Sequence, residues 1–445
     1  MAEDSRSLGS PALVPEPDTS DWRSWYPEKA PPSRSASGQL FLGLMLIIVF
    51  ALVPIYIFPS GRPQLADVFI LILMLYGLAG NHGKEPFLMD KVFSLFPFIA
   101  WAVLINFAYF LMDPGDMPVI WKIAELSYSF LLLYSFTLIF KRVIRTSLAY
   151  IYLGIVLSIF LAFLIKGSYE ETVRFALSFN NPNQLGYFSL LLLGFGVLLI
   201  QFQKTRKENI FYLIGDIIII IGGHLFALLA SSRGAIMGIV IMDIWLATHI
   251  RNKKVLFNVI FVAIVAVSVN IFLAPDFIEK RLYARPGKTY DMPEAADETQ
   301  KRILHQFSIM SGVQYIIGRG GGSYSRDMDA FNMVKGIGEV HNIFGDIFRC
   351  YGLIGLTMFS YWIFKIIWTT RVLSGTIWIW TAVLLYNMSH NGVRFRAFWL
   401  LIALMLAMVA AIRDEQKDEA GRPSASQPGG LEPVDPTFVR QLNII

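Results

Sequence analysis

The stretch Ser231–Ser232–Arg233–Gly234 puts a permanently charged side chain between two apolar runs. A guanidinium presents a planar fork of N–H donors that matches two phosphate oxygens, and it keeps its charge at physiological pH. Gly234 leaves room for a ligand or another backbone to approach. Arg233 is therefore a candidate phosphate clamp, supported by Ser232 and Gly234. The alternative is an interfacial turn whose arginine reaches for lipid headgroups.

The long segment Pro275–Asn342 carries two more candidate anion-binding features. Its apolar spacing predicts an amphipathic helix over Lys301–Ile317, and Arg302 would lie on the basic face of that helix. The alternative for Arg302 is a solvated face without a ligand. The glycine-rich run that contains Arg319 could form a nest of backbone N–H groups for an anion, although it does not fit a nucleotide-binding pattern.

His341 and Asn342 directly precede a long apolar run that contains Asp346 and Arg349. An imidazole at a wet membrane face can take a proton near neutral pH, as a general base must. His341 is thus a candidate base, with Asn342 beside it. Because Asp346 and Arg349 are three residues apart in a predicted helix, we expect a local ion pair that faces the bundle interior.

Other polar residues fall between apolar runs. Arg174 is a further candidate for binding phosphate or headgroups, and Asn183 is a candidate cap for the helix that follows. More polar groups come near the last apolar run: Ser389, His390, Asn391, Arg394 and Arg396.

The composition sets the class of protein. Apolar residues make up 55% of the chain and charged residues 16%, whereas an ordinary soluble domain has about 25% charged residues. Such a chain needs lipid as part of its solvent. The single cysteine, Cys350, excludes a disulfide framework and a thiolate metal site. The histidines outside the apolar runs lack a spaced carboxylate or thiolate partner, and His224, inside an apolar run, is expected to be a satisfied core residue. We therefore expect no metal site, and we expect no other cofactor.

Apolar runs of about 20 residues, each enough to cross the hydrocarbon core, recur along the chain. They predict an all-α polytopic membrane protein with about twelve transmembrane helices, of which Gly234–His249 and Val372–Met388 are the weakest. The predicted spans are Gln39–Phe58, Pro63–Leu78, Phe93–Met112, Pro118–Phe140, Ser147–Ile165, Leu185–Phe202, Ile210–Ala230, Gly234–His249, Val255–Ala274, Ile343–Trp368, Val372–Met388 and Phe395–Ile412.

The orientation follows from the basic residues of the short loops, because positive charge near a helix end resists translocation. Threaded alternately, these residues share one side, which should be the cytoplasm: Lys84, Lys91, Lys141, Arg142, Arg145, Lys204, Arg206, Lys207, Arg251, Lys253, Lys254 and Arg371. The polar segments Met1–Gly38 and Arg413–Ile445 are expected to be disordered cytoplasmic tails around a bundle over residues 39–412. The opposite face then holds Arg233, the long loop and His341.

Several short motifs occur in a specific order. Asn-Pro-Asn precedes a helix at 181–183, Ser-Arg-Gly separates two helices at 232–234, and an arginine-bearing loop ends in Gly-Arg-Gly-Gly-Gly at 318–322. His-Asn-Ile-Phe at 341–344 then leads into Tyr-Gly-Leu-Ile-Gly-Leu. From about Asn180 to the last helix this order resembles the O-antigen ligase and polymerase superfamily. One departure is Gln306–Phe307, where the family usually has a tryptophan, and it makes Arg319 a substitute for Arg302.

The resemblance implies a bacterial inner-membrane glycosyltransferase of the GT-C type, inverting and metal-independent, with its active site on the periplasmic face. Its donor would be a glycan on undecaprenyl diphosphate. The acceptor would be lipid A core in a ligase, which we favour, or a growing O-antigen or exopolysaccharide chain in a polymerase. Carried onto this sequence, Arg233 and Arg302 would hold the donor diphosphate and His341 would act as the essential histidine. The other expected partners are membrane lipids, and no nucleic acid is expected.

Two other classes of protein stay open. The first is a transporter or flippase, because Asp67, Glu125, Asp216 and Asp243 lie within predicted spans and would suit an ion-coupled carrier. The sequence has no visible inverted repeat to support it. The second is a lipid-binding or scaffold protein, in which the arginines would serve headgroups only.

Overall fold

The computed structural model describes residues 36–58, 63–79, 86–114, 117–144, 148–165, 175–202, 210–249, 310–322 and 342–420, and within these ranges every regular element is a helix. The α-helices are α1 (Ala36–Leu52), α2 (Leu65–Ala79), α3 (Pro86–Phe93), α4 (Phe96–Met112), α5 (Met117–Val143), α6 (Leu148–Leu164), α7 (Pro182–Phe202), α8 (Ile210–Ala230), α9 (Arg233–His249), α10 (Gly312–Ile317), α11 (Ile343–Thr370), α12 (Thr376–Asn387) and α13 (Arg396–Ala420). The described residues up to Ala411 belong to one compact unit.

The long helices have the length and composition of membrane spans. In the described ranges, 6 helical stretches are long and apolar enough to cross a bilayer: Pro86–Met112, Met117–Val143, Pro182–Gln201, Ile210–Ala230, Ile343–Thr370 and Arg396–Asp414. α1, α2, α6 and α12 are shorter apolar helices. Over the described residues the chain is thus all-helical, with six helical stretches suited to crossing a membrane, and this confirms the all-α part of the predicted fold class. Predicted span Val255–Ala274 lies outside the described residues, so the count of twelve stays a prediction.

Two helices form the core of the bundle. Every residue of α7 from Leu185 to Leu199 is buried, and so is every residue of α13 from Arg396 to Ala411. A helix that is apolar on all sides is stable only when other helices surround it, which is the position these two take. α7 packs on α8 and α9, while Gly194 of α7 lies against Leu401 of α13. Residues that begin these central helices are therefore held firmly.

Some boundaries differ from the predicted ones. The predicted span Phe93–Met112 is the second part of a longer helical stretch, Pro86–Met112, which begins with α3. α13 continues to Ala420, beyond the predicted end of the span and into the segment expected to be disordered. The added residues include Glu, Gln, Lys and Ala. These are good helix formers, and they extend the helix after the apolar pattern has ended.

Candidate functional site

Four turns of the chain meet at one end of the bundle, which we call the site end: residues 53–58, 175–181, 231–232 and 388–395. The Tyr56 N–H donates to the Ser178 carbonyl at 3.0 Å, and the Phe175 N–H donates to the Leu229 carbonyl at 3.0 Å. The opposite end carries basic groups such as Lys91, and Lys365 near the end of α11, which pair with Asp90 at 3.0 and 2.8 Å. Helices that alternate in direction bring these four turns to the same end of the bundle.

Arg233 is the first residue of α9 and is exposed. It follows a tight turn from α8, in which Ser231 has a φ of 48°. Residues other than glycine seldom adopt a positive φ, and such positions are often found at functional sites. The Ser231 N–H donates to the Leu228 carbonyl at 2.9 Å and fixes the turn. The turn therefore presents the Arg233 guanidinium at the surface of the site end.

The neighbours of Arg233 serve packing. Ser232 is only 3% exposed, and a Cβ on Gly186 of α7 would lie 2.6 Å from the Ser232 Cβ. A Cβ on Gly234 would lie 3.2 Å from the Tyr386 ring and 3.3 Å from the Ser389 hydroxyl. Both small residues thus allow the start of α9 to approach α7 and the end of α12 closely. This close approach is what the structure shows for Ser232.

The start of α7 corrects the predicted cap. Asn183 is the second residue of the helix, which begins at Pro182. The capping side chain is Asn181, whose Oδ1 accepts from the Gln184 N–H at 2.9 Å. Proline is favoured at the first helical position because its missing N–H would have no partner there. The Asn183 carbonyl instead accepts from the Tyr386 hydroxyl at 2.7 Å, which joins α7 to α12 at the site end.

Asn342 caps α11. Its side-chain oxygen accepts from the N–H groups of Phe344 at 2.8 Å and Gly345 at 3.1 Å. An N-cap of this kind satisfies backbone donors that have no partner inside the helix. Asn342 therefore fixes where the helix starts, and the candidate base His341 is the residue before it in the chain. His341 itself lies outside the described residues.

The expected ion pair between Asp346 and Arg349 is wrong, because the Asp346 carboxylate has partners from another part of the chain. Its Oδ2 accepts from the Asn391 amide at 2.6 Å and lies 3.9 Å from Arg394 Nη2. The Cys350 thiol lies 3.7 Å from its Oδ1. The α12–α13 turn (residues 388–395) therefore reaches the start of α11. No sequence spacing indicates such a contact between segments that are distant in the chain.

Hydrogen bonds to buried side chains fix the α12–α13 turn. The Gly392 N–H donates to the Asn387 side chain at 2.7 Å, and Asn387 in turn donates to the Tyr187 hydroxyl at 3.1 Å. The Trp399 indole donates to the Val393 carbonyl at 2.7 Å. Asn387, Tyr187 and Trp399 are almost completely buried. The turn consequently holds Asn391 and the residues near it in one place.

α11 is broken in its first half. Gly352 has a φ of 66° and a ψ of −169°, which are outside the helical region. A break frees carbonyl groups that a continuous helix would satisfy. The backbone N–H groups of Arg319 and Gly320 donate to the carbonyls of Arg349, at 2.9 Å, and Cys350, at 2.8 Å. The glycine segment (residues 318–322) thus fills the break.

These contacts correct the expected anion nest. The Gly318 N–H donates to the Gln314 carbonyl at 2.8 Å, and the Gly321 N–H donates to the Asn106 side chain at 2.5 Å. Together with Arg319 and Gly320, four successive N–H groups are used inside the protein. Any role of Arg319 in binding phosphate must come from its side chain. The Nη1 of that side chain donates to Gln314 Oε1 at 3.4 Å.

The predicted amphipathic helix over Lys301–Ile317 is interrupted. Met310 is not helical and Ser311 is extended, with a φ of −90° and a ψ of 166°. Gln314 Oε1 accepts from the Ser311 N–H at 2.9 Å, so α10 starts directly after Ser311. The apolar pattern runs across this capping signal, so periodicity alone predicted one helix over the whole range. The predicted Arg302 position lies outside the described residues.

A buried ion pair at the site end was not predicted from the sequence. Arg396, at the start of α13, donates to both carboxylate oxygens of Asp67 on α2. Asp67 also accepts from the Tyr128 hydroxyl of α5 at 2.7 Å and from the Gln64 N–H at 2.6 Å. Arg396 is 2% exposed. A buried charge is tolerated when it is paired and hydrogen-bonded in this way, and the pair joins three helices.

Three other acidic residues of the transporter alternative also have partners. Glu125 pairs with Lys122 at 3.0 Å. Asp216 accepts from the Tyr152 hydroxyl. Asp243 lies 3.0 Å from Nε2 of His224, whose Nδ1 lies 2.7 Å from the Ile220 carbonyl. In the described part of the chain, no group of three or more His, Cys, Asp or Glu side chains is placed to hold a metal ion.

The predicted site residues fall into three groups. Gly234 and Asn183 both adjoin Tyr386 at the end of α12, with Arg233 and Ser232 next to Gly234 in the chain. Asn342 lies at the start of α11, one helical turn before Asp346. Arg319 lies beside Arg349, which is roughly 10 Å further along α11 than Asn342 at a rise of about 1.5 Å per residue. Predicted residues His341, Arg302 and Arg174 lie outside the described ranges.

A scan against protein-family models finds no match to this chain, and a search of the curated proteins finds none either.

Proposed function

We propose that this chain is a membrane glycosyltransferase of the O-antigen ligase type, which transfers a glycan from undecaprenyl diphosphate to a saccharide acceptor. In this proposal the site end faces the periplasm of a bacterial inner membrane, and both tails lie in the cytoplasm. The order of the short motifs supports the family. The apolar helices suit a protein that lies in a membrane, where a donor on a lipid carrier would be found.

One observation carries the proposal. The α12–α13 turn and the end of α12 contact the start of α9 on one side, where Gly234 meets Tyr386 and Ser389. On the other side the same turn contacts the start of α11, where Asn391 binds Asp346. The Ser-Arg-Gly motif and the helix start after the His-Asn motif therefore adjoin one short turn, although they are more than a hundred residues apart in the sequence. Such convergence is what a shared site requires.

The proposed chemistry gives distinct roles to His341, Arg233 and Arg302. A bond forms between the acceptor oxygen and the anomeric carbon of the donor glycan, and the bond from that carbon to the diphosphate oxygen breaks. The electron pair leaves with undecaprenyl diphosphate, and the acceptor proton passes to the His341 imidazole. Arg233 and Arg302 neutralise the charge that grows on the leaving diphosphate. Attack from the face opposite the leaving group inverts the anomeric carbon.

A deletion strain tests the proposal and separates its two forms. Loss of a ligase leaves full-length glycan chains on undecaprenyl diphosphate, whereas loss of a polymerase leaves single repeat units there. We expect full-length chains, restored to surface polysaccharide by the wild-type gene. A strain whose lipid-linked glycans and surface polysaccharide are both unchanged would overturn the glycosyltransferase proposal in either form.

The transporter alternative is less well supported by the contacts. Ion-coupled carriers use unwound backbone and acidic residues near mid-bilayer to bind ions. Here the carbonyls at the Gly352 break accept from Arg319, Gly320 and the Trp101 indole, which donates to Tyr351 at 2.9 Å. The acidic groups Asp67, Glu125, Asp216 and Asp243 each contact a side chain of the protein. These groups have structural uses, which favours the enzyme.

A further inference from the structure

Asp346 occupies an unusual position for a carboxylate in a membrane helix. It lies in the first turn of α11, and its N–H donates to the carbonyl of the capping residue Asn342 at 2.8 Å. Its side chain is 15% exposed, so it is largely enclosed but still reaches the surface. Carboxylates inside spans are costly and usually have a function. The proposed chemistry leaves Asp346 without one.

The partners of Asp346 form a set with complementary hydrogen-bonding capacity. Asp346 accepts, the Asn391 amide both donates and accepts, and the Arg394 guanidinium donates. Arg394 is 41% exposed, and its Nη2 lies 3.9 Å from the carboxylate, which makes an ion pair without a direct hydrogen bond. A carboxylate can accept about four hydrogen bonds, and among the described residues Asn391 and Cys350 donate two to Asp346.

The three groups are positioned before any ligand arrives. Asn391 and Arg394 belong to the α12–α13 turn, which the buried side chains of Asn387 and Trp399 hold in place. Asp346 is fixed by the helix that Asn342 caps. Rigid donors and acceptors lower the entropy lost on binding, which is how polar sites gain specificity. A set like this suits a ligand with neighbouring hydroxyl groups, each of which both donates and accepts.

We propose that Asp346, Asn391 and Arg394 bind adjacent hydroxyls of the acceptor saccharide and so position the acceptor for attack. The inference rests on the proposed glycosyltransferase function and deepens it. Asp346 accepts from one hydroxyl, and Arg394 donates to the oxygen of the next. The donor diphosphate is held elsewhere, by the start of α9, so the two substrates approach from opposite sides of the α12–α13 turn.

The test is Asp346→Asn, measured in transfer assays with purified full-length protein in lipid vesicles. We expect the acceptor KM to rise about ten- to a hundredfold, as for a lost hydrogen bond to a charged group, while the donor KM is unchanged. The matched control is Asp90→Asn, which removes a carboxylate at the opposite end of the bundle and should leave both constants unchanged. An unchanged acceptor KM in Asp346→Asn would overturn the inference.

A deoxy acceptor distinguishes binding from a structural role. Removing the hydroxyl that Asp346 binds should raise the acceptor KM of the wild type but not raise it further in Asp346→Asn. Additive effects for every deoxy acceptor would contradict the inference. If Asp346→Asn does not fold, Arg394→Ala gives the same readout through the neighbouring hydroxyl. A wild type that transfers no glycan refutes the proposed function instead, so the two failures are distinguishable.

Discussion

At the scale of single residues, the proposal depends most on Arg233, which is exposed at the start of α9. Arg233→Lys keeps the positive charge but removes the planar fork that binds two phosphate oxygens. We expect glycan transfer to fall on the order of 100-fold, as when an enzyme loses one donor to a developing negative charge. The measurement is the transfer rate at saturating acceptor.

Arg371→Lys is the control for that substitution. Arg371 stacks on the Trp368 ring, with its guanidinium carbon 3.2 Å from the ring centroid, at the opposite end of the bundle. We expect transfer by Arg371→Lys to equal that of the wild type. If Arg233→Lys transfers as fast as this control, then Arg233 serves lipid headgroups and is not a phosphate clamp.

Residue roles could be predicted from sequence only where the relevant partner is local. The boundary position of Arg233 and the polar group at Asn342 follow from the apolar pattern around them, and the structure has both residues at helix starts. The partner of Asp346 could not be predicted, since Asn391 and Arg394 come from another segment. The nearer Arg349 was the only choice that helical spacing offers.

At the scale of elements, the break in α11 makes a sharp prediction. A Cβ on Gly352 would collide with the backbone carbonyl of Ile316, and the φ of 66° disfavours any side chain. Backbone cannot move aside as a flexible side chain can. We expect Gly352→Ala to cost more than about 2 kcal/mol of stability, the sum of backbone strain and a steric clash.

Gly312→Ala provides the comparison, measured as the thermal inactivation or aggregation temperature of purified protein. Gly312 begins α10, and an added Cβ there would have nothing within 4 Å. Alanine favours a helix over glycine by up to about 1 kcal/mol, so stability should be unchanged or slightly higher. Equal temperatures for the two variants would contradict the account of the glycine segment as a filler of the break.

Elements were predictable in type but not in their interruptions. Apolar length alone locates most described helices, because a segment in lipid must satisfy its backbone internally. It gives no indication that α11 breaks at Gly352, since glycine is common in membrane helices. Apolar periodicity also predicted one helix over Lys301–Ile317, because the apolar spacing continues across the N-cap Ser311.

At the scale of the whole molecule, the proposed orientation places α10 outside and the α11–α12 connection inside. Cys350 is the one cysteine of the chain and is buried, so the background in cysteine labelling is low. We expect a membrane-impermeant maleimide to label Gly312→Cys in intact cells stripped of their outer layers. Val372→Cys, which is 63% exposed at the other end, should react only after permeabilisation. The reverse pattern would invert the orientation.

The central claim is that the site end transfers glycan, and reconstitution tests it most directly. Purified protein in vesicles is given an undecaprenyl-diphosphate-linked glycan and a saccharide acceptor, and both glycan transfer and donor movement across the bilayer are measured. The account predicts transfer by the wild type and its loss in His341→Ala, by about 100-fold or more for a missing general base. Donor movement without transfer, unaffected by His341→Ala, would contradict it.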